Sequence, residues 1–308
     1  MRDEFVNQLE ILAAKDSNLI LITADLGFGI FDNFNAHFPE QFINVGVAEQ
    51  NMTGIATGLA LEGKKVFTYS IANFATLRCI EQIRNDAAYH NSNVTVVASG
   101  GGFTYGSLGM SHHATEDIAI MRALPDVTVV APCTAWEAFH GTEQLFNKSG
   151  VCYLRLEKGG DITPPSKSTT YEIGKAISYR EGKDVTFIVA GGIMSEALKA
   201  ANMLAKMNID ASVISMHTIK PIDREAIKGA VNKTRAIITI EEHNIIGGLG
   251  SAVAEVLAQD QLRTTFGQVS ILDRYTSVVG DQDYLRHHYQ LDAAAIVSKV
   301  HSLIDVLD

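Results

Sequence analysis

The chain has 308 residues, of which 46% are hydrophobic, and this length and composition suit two domains with separate cores. Its formal net charge is −10 and it contains no run of Lys and Arg, which argues against nucleic acid and anionic membranes as partners. No stretch approaches the about 18 apolar residues of a membrane span, and the three scattered cysteines lack metal-binding spacing, so we expect a cytoplasmic protein.

The first half of the chain alternates between strand-like and helix-like segments. Apolar, β-branched runs predict strands at Leu19–Thr23, Lys65–Thr68, Val94–Ala98 and Val127–Val130. Apolar residues at helical spacing predict helices at Arg2–Lys15, Gln50–Leu61, Asn73–Tyr89, Asp117–Leu124 and Ala135–Phe146. Strands that are apolar throughout and separated by helices indicate a parallel sheet covered on both faces.

A change in composition near Gly159 marks the boundary between two such units. Residues 159–168 are rich in Gly, Pro and Ser and predict an extended linker within 158–172. The alternation then resumes, with strands predicted at Val185–Ala190, Ala211–Ser215 and Ala236–Glu241 and helices at Met194–Met207, Arg224–Asn232 and Ser251–Gln259. The predicted fold class is therefore α/β, with two doubly wound domains of mainly parallel sheet at residues 1–160 and 173–308.

The most informative motif runs from Asn44 to Met52 and places one carboxylate where an apolar run meets a helix. The residues before Glu49 alternate like the end of a strand, and those after it recur at helical spacing, with Gly54 and Gly58 permitting close approach. A carboxyl group between apolar neighbours is desolvated, which favours its protonated form, so that it can donate to a ring nitrogen. The alternative is that Glu49 only interacts favourably with the helix dipole.

Six motifs occur in a fixed order along the chain. The first four are Val45–Gln50, Tyr69–Phe74, Glu81–Asn85 and Ser111–Arg122. The last two are Glu241–Asn244 and Gly247–Gly250. Together they resemble the pyrimidine-binding and C-terminal domains of transketolase-type thiamine diphosphate enzymes, and the resemblance covers nearly the whole chain.

That resemblance implies a divided cofactor site. In the resembled family one domain holds the pyrimidine ring of thiamine diphosphate, and another holds its diphosphate through Mg²⁺ with a Gly-Asp-Gly motif, which this chain lacks. The chain is therefore expected to be the C-terminal subunit of a split transketolase, active only with an N-terminal subunit in an α2β2 assembly. We expect that partner to hold the Mg²⁺ and the diphosphate, and we expect no metal site built by this chain.

The resemblance assigns cofactor contacts to five residues. It implies that Glu49 hydrogen-bonds the pyrimidine ring nitrogen as a catalytic acid, that Phe74 packs against the ring, and that Asp25 lies close to the cofactor. Ile71 and Leu77 fall at other positions of the same wall. From the residues alone, Ile71, Phe74 and Leu77 also fit a helix core, and Asp25 also fits a turn or a helix cap.

Sugar contacts are implied for a second set. His112 matches a histidine that contacts ketose hydroxyls near the reacting carbon. Arg2 and Arg155 match positions of arginines that bind the substrate phosphate, a task that suits the two parallel donors of a guanidinium group. Arg78 and Lys158 are further basic candidates for binding the substrate phosphate near the entrance of the site.

One part of the substrate-binding pattern departs from the family. The run Gly106-Ser107-Leu108-Gly109 replaces the usual Gly-Glu-Asp-Gly, so that Leu108 occupies the place of an Asp that binds a substrate hydroxyl. Leucine cannot accept a hydrogen bond. A serine of the usual phosphate site aligns with Gly29. These differences predict an unusual ketose, or an anion other than phosphate at the far end of the sugar.

Three alternatives compete with a transketolase subunit. The β subunit of a 2-oxo acid dehydrogenase E1 component and the C-terminal half of deoxyxylulose-phosphate synthase share the two-domain plan and a similarly placed Glu. A non-catalytic assembly subunit would retain the fold only, and Glu49 and Phe74 argue against it. His112, Arg2 and Arg155 favour sugar phosphates, so we expect transfer of a two-carbon ketol unit from a ketose to an aldose.

Overall fold

Two sheets, each covered by helices, make up the computed structural model of this chain, which describes residues 1–159 and 162–304. The strands of the first half are β1 (Leu19–Thr23), β2 (Phe42–Asn44), β3 (Lys65–Ile71), β4 (Val94–Ser99), β5 (Thr128–Val130) and β6 (Cys152–Leu156). Those of the second half are β7 (Ile177–Arg180), β8 (Val185–Ala190), β9 (Ala211–Ser215), β10 (Thr218–Lys220), β11 (Ala236–Asn244) and β12 (Thr265–Ile271).

Helices separate most of these strands. In the first half they are α1 (Arg2–Ala13), α2 (Asp32–His37), α3 (Glu49–Leu61), α4 (Ala72–Ala75), α5 (Ile80–Gln82), α6 (Asp117–Ala123) and α7 (Ala135–Phe146). In the second half they are α8 (Met194–Ala205), α9 (Arg224–Lys233), α10 (Leu249–Gln259), α11 (Gln282–His288) and α12 (Ala293–Ile304). None of the described helices is both long and apolar enough to cross a membrane.

Both sheets are mainly parallel, as the sequence predicts. The first has the strand order β10-β5-β6-β4-β3-β1-β2, and the second has the order β12-β11-β8-β9-β7. Every residue of β1, β4, β6, β8 and β11 is buried, because helices cover both faces of each sheet. The predicted α/β class is confirmed.

One strand crosses between the two sheets. β10 follows β9 in the second half of the chain, yet it pairs antiparallel with β5 at the edge of the first sheet. The Lys220 ammonium group at its end donates a hydrogen bond to the carbonyl of Arg122, which ties the strand to the end of α6. The two halves are therefore joined by backbone pairing as well as by side-chain contacts.

Several elements begin and end at the predicted residues, including the strand Leu19–Thr23 and the helix Ala135–Phe146. The predicted single helix Asn73–Tyr89 is wrong. The structure divides that segment into α4, a 3₁₀ turn at Leu77–Cys79, α5 and a π-helical stretch at Ile83–Ala88. The buried Thr76 ends α4 with ψ of −77°, and its hydroxyl donates to the Ala72 carbonyl at 2.6 Å.

The predicted linker has no helix or strand among its described residues, and its Gly160 and Asp161 lie outside them. The described chain enters β7 only at Ile177. The chain thus enters the second sheet at its edge strand, β7.

Candidate functional site

The candidate site lies at the carboxyl ends of the parallel strands of the first sheet. Asp25 follows β1, Glu49 follows β2, Phe74 follows β3 and His112 follows β4. In open α/β sheets this edge forms the crevice where ligands bind, because the loops leave the strands there and the helix N-termini face it. The fold therefore brings together four residues that are up to 87 positions apart in the sequence.

Glu49 begins α3 and is buried, with 2% of its surface exposed. The Arg78 guanidinium donates from Nη1 to Glu49 Oε2 at 2.7 Å and lies 4.3 Å from the centre of the Phe74 ring. The expected burial of Glu49 is thus found, and the structure adds a contact with Arg78 that the sequence did not predict. The guanidinium of Arg78 therefore faces the Glu49 carboxyl group directly.

The Phe74 ring contacts both the Arg78 guanidinium and the His112 imidazole. It meets the His112 imidazole edge-on, with the ring centres 5.3 Å apart. Ile71 and Leu77 flank Phe74 at the end of β3 and in the following turn, half-buried and 45% exposed respectively. Their exposed surface is apolar and lies on the same segment that carries Phe74 and Arg78.

The loop that carries His112 is held by Asn73, a residue to which the sequence assigned no role. Its side-chain amide donates to the carbonyls of Ser111 at 3.0 Å and His113 at 2.8 Å, on either side of His112. His113 is buried and its ring contacts the Thr276 hydroxyl and the Gly106 carbonyl. Partial burial and then the neighbouring His113 lower the pKa of His112, so His112 is neutral at neutral pH.

Asp25 is half-buried and held in the left-handed backbone region with φ of 54°. Asn44 fixes this turn, because its side-chain oxygen accepts from the backbone N–H groups of Asp25 and Gly46, each at 3.0 Å. Asn44 therefore links the turn after β1 to the turn before Glu49. The signal for it in the sequence is a polar residue at the end of an apolar strand.

The expectation that Arg155 binds the substrate anion is wrong. Its side chain has no exposed surface and forms ion pairs with Asp117, at 2.8 Å, and Glu157. Its remaining nitrogen, Nη2, donates to the carbonyls of Ala114 and Glu242. Two buried carboxylates and two carbonyls thus use every nitrogen of the guanidinium group, and Arg155 cannot reach a ligand.

Two other positively charged side chains line a cavity of about 220 Å³ near the carboxyl ends of β4 and β6. Arg2 and Lys158 both line it, together with Thr104 and Tyr105 from the loop after β4. The Arg2 side chain is 47% exposed and pairs with Asp3 at 3.1 Å, and Lys158 is exposed. Lys158, which follows β6, is therefore exposed at this cavity, whereas Arg155 is not.

Leu108 closes a 3₁₀ turn at Gly106–Leu108 in the loop between β4 and α6. Its side chain is 55% exposed, in the same loop that carries His112. Within residues 1–159 and 162–304, no cluster of His, Cys, Asp and Glu has the arrangement of a metal site. The described part of the chain therefore offers a buried acid, an aromatic ring and a cavity lined by Arg2 and Lys158.

Comparisons with known proteins agree with this arrangement. The family model for the transketolase pyrimidine binding domain matches residues 1–160, and the model for the transketolase C-terminal domain matches residues 174–296. Each domain model thus covers one of the two sheets described above, apart from the crossing strand β10.

Two curated proteins are similar to the chain over nearly their whole length. A 6-deoxy-6-sulfo-D-fructose transketolase subunit of a Clostridium species is 37% identical over 99% of this chain and 94% of its own length. An apulose-4-phosphate transketolase subunit of Phocaeicola vulgatus is 36% identical over 96% of this chain and 94% of its own length.

A solved structure is similar in fold as well. It is described as a split gene transketolase, inactive beta4 tetramer, and it superposes with a TM-score of 0.89 and 36% identity. The match covers 99% of this chain and 98% of that one.

Proposed function

Because the chain belongs to the transketolase family, as the C-terminal subunit of a split transketolase, we propose that it transfers a two-carbon ketol unit from a ketose to an aldose with thiamine diphosphate. The observation that carries this proposal is the contact of Arg78 with both Glu49 and Phe74. Curated relatives that the chain spans almost end to end are transketolase subunits, which favours this activity over dehydrogenase or synthase chemistry.

The residues of this chain fit the pyrimidine half of the cofactor. The Arg78 guanidinium is a planar nitrogen group that donates to Glu49 and stacks on Phe74. A flat aminopyrimidine would need a similar pair of partners, a carboxyl group in its plane that shares a proton with a ring nitrogen and an apolar face against its ring. Glu49 and Phe74 would hold that ring, with Ile71 and Leu77 extending the wall and Asp25 at its edge.

The diphosphate half is assigned to a partner. A charged diphosphate with Mg²⁺ requires hard oxygen ligands, and this chain has no Gly-Asp-Gly motif. We therefore place the Mg²⁺ and the diphosphate on an N-terminal subunit, in an α2β2 assembly. The related structure described as an inactive assembly of β subunits alone supports this division of labour. The three free cysteines are buried and fit a reducing compartment, so we place the assembly in the cytoplasm.

Each residue of the site then has one task. Bound thiamine diphosphate supplies a nucleophilic ring carbon. Glu49 holds a proton at the pyrimidine nitrogen, and its burial excludes water from that contact. His112, neutral because its pKa is lowered, can donate to or accept from a ketose hydroxyl.

The far end of the sugar carries an anion. Arg2 and Lys158 lie at the same cavity and supply two positive charges there. One named relative acts on a sulfonated sugar and another on a phosphorylated one, so either anion suits this pocket. Leu108 offers no acceptor where the family has Asp, and we expect weaker discrimination at the hydroxyl that this Asp would bind.

The test is ketol transfer by the reconstituted pair, measured with wild type and with Glu49→Gln. The amide keeps the shape of the side chain but cannot hold the proton, so turnover should fall by roughly 10²–10⁴-fold. Assembly, measured by sedimentation, should be unchanged. Equal turnover of the two pairs would remove Glu49 from the mechanism, and a wild-type pair without ketol transfer would refute the proposed function.

A further inference from the structure

The loop between β4 and α6 carries both His112 and Leu108, yet it contains little regular structure of its own. Its two ends meet in an isolated antiparallel bridge between Gly102 and Ala114. The structure describes every residue of this loop, and the only helical element within it is the 3₁₀ turn at Gly106–Leu108. Besides the side-chain amide of Asn73, the contacts at this bridge hold the loop in its position.

A residue of the C-terminal domain binds the backbone next to this bridge. Glu242 lies on β11 and is completely buried, and its Oε1 accepts from the backbone N–H of Phe103 at 2.5 Å. Gln282 donates to the same oxygen at 2.9 Å, and Arg286 donates from Nε to Oε2 at 2.5 Å. The carboxylate is thus held by two side chains of its own domain while it binds the backbone of the other.

The other residue of the bridge, Ala114, is held by Arg155 of β6. Arg155 Nη2 donates to the Ala114 carbonyl at 2.8 Å and to the Glu242 backbone carbonyl at 3.0 Å. The Glu242 side chain therefore fixes the strand at Phe103, and its main chain shares a donor with the strand at Ala114. Glu242 therefore contacts one end of the loop directly and the other end through Arg155.

The approach is close enough to require glycine. A Cβ atom on Gly102 would overlap Glu242 Oε1, and the φ of Gly102 is +58°. Any side chain at this position would press the carboxylate away from Phe103. Sequence and geometry agree that residue 102 makes room for the carboxylate.

We propose that Glu242 is a positioning residue that reaches across the domain boundary and fixes the loop of His112 and Leu108 over the substrate site. This inference rests on the proposed function for the meaning of the site, but the contact itself is independent of it. The C-terminal domain thereby takes part in sugar recognition without touching the sugar.

The neighbouring residue provides a matched control. Glu241 is also a buried carboxylate on β11, and its two oxygens accept from the backbone N–H groups of Leu249 at 2.7 Å and Gly250 at 2.8 Å. Successive side chains of a strand point to opposite faces, so Glu241 holds the start of α10 and not the loop. Glu241→Gln and Glu242→Gln are the same chemical change on two faces of one strand.

An amide has one acceptor oxygen, whereas Glu242 uses both of its oxygens to accept from three donors. Glu242→Gln must therefore leave either Phe103 or Arg286 without its partner. We expect faster hydrogen exchange of the backbone amides in residues 100–115 of the isolated chain, and no such change in Glu241→Gln. Gly102→Ala, which displaces the same carboxylate, should act in the same direction as Glu242→Gln.

In the assembled pair, Glu242→Gln should lower kcat/KM for the sugar substrates by on the order of 10²-fold, as small displacements of positioning groups do. Its affinity for thiamine diphosphate should stay at the wild-type level. Unchanged exchange of the loop in both Glu242→Gln and Gly102→Ala would overturn the proposal, and so would faster exchange with unchanged kcat/KM. A wild-type pair that binds no cofactor would instead refute the proposed function, and the exchange rates would still decide whether Glu242 holds this loop.

Discussion

At the scale of single residues, the contact between Arg78 and Glu49 determines what the isolated chain offers to a ligand. The guanidinium occupies the position between the buried acid and the Phe74 ring, so a cofactor ring must displace it. Because the Arg78 side chain is 44% exposed, it can swing into solvent without leaving a buried charge unpaired on its own side. Its displacement leaves the buried Glu49 carboxyl group for the cofactor ring to pair with.

Arg78→Met should therefore tighten binding of thiamine diphosphate to the assembled pair, by up to about fivefold, because the cofactor no longer competes with an internal cation. Titration calorimetry of the pair measures this directly. Lys199→Met removes another half-exposed ion pair, with Glu196 on α8, and serves as the control. Weaker binding in Arg78→Met would mean that Arg78 helps to hold the cofactor.

The anion pocket gives a second prediction. Arg2→Ala and Lys158→Ala should raise KM for phosphorylated or sulfonated sugars more than they lower kcat, because a contact far from the reacting bond is present in ground and transition states alike. Steady-state kinetics with charged and neutral sugars measures this, with the exposed Lys206→Ala as the control. Equal losses with both kinds of sugar would contradict the assignment.

Arg155 is excluded from that test because its removal would leave Asp117 and Glu157 as buried charges without their cation. The sequence could place Arg155 at the end of a strand, but not tell whether its side chain faces solvent. That depends on Asp117, 38 positions away, and on Glu242, 87 positions away. Glu49 was predictable because its burial follows from neighbours in the same motif.

At the scale of secondary structure, the segment after β3 shows where local pattern fails. Apolar spacing predicts one helix from Asn73 to Tyr89, but hydrogen bonds of Thr76 and Cys79 to the carbonyls of Ala72 and Phe74 interrupt it. Such breaks and π-helical stretches are frequent at functional sites. Here the break separates Phe74 from Arg78 and lets the Arg78 guanidinium contact both Phe74 and Glu49.

Helix α7 connects the two domains through a buried acid. Glu137 accepts from the Cys133 backbone N–H at 2.7 Å and from the hydroxyls of Tyr179 at 2.9 Å and Ser215 at 3.1 Å, the last two in the second sheet. Burial raises the pKa of Glu137 to about 7. An unfolded Glu titrates near 4.5, so the folded chain binds more protons between these values.

The free energy of unfolding should therefore fall as the pH rises from 4.5 to 7 through this group, and the loss should be complete above pH 7. Glu137→Gln cannot titrate, so its stability relative to wild type should increase across that window by about 1–3 kcal/mol. Urea unfolding at several pH values measures the difference, with Glu143→Gln on the same helix as the control. A relative stability that does not change with pH would contradict this account of Glu137 as a buried acid between the two domains.

At the scale of the whole molecule, the alternation of strands and helices predicted both sheets, because buried parallel strands are apolar throughout and easily recognised. The pairing of β10 with the first sheet could not be predicted, since a three-residue strand carries no pattern and its partner lies 88 residues earlier at matched positions Thr218 and Val130. The hydrogen bond between Glu242 and the backbone of Phe103 could not be predicted either, because the two residues are 139 positions apart. Long-range contacts of this kind make the two domains act as one support for half of an active site.

The central claim is that this half-site needs a second polypeptide, and titration calorimetry with thiamine diphosphate and Mg²⁺ tests it most directly. The isolated chain should release little heat, because it offers Glu49 and Phe74 to one ring but lacks the Gly-Asp-Gly motif, and its described residues contain no cluster of His, Cys, Asp and Glu for the metal. The mixture with an N-terminal subunit that carries Gly-Asp-Gly should bind the cofactor in a saturable manner. Micromolar binding by this chain alone would contradict the account.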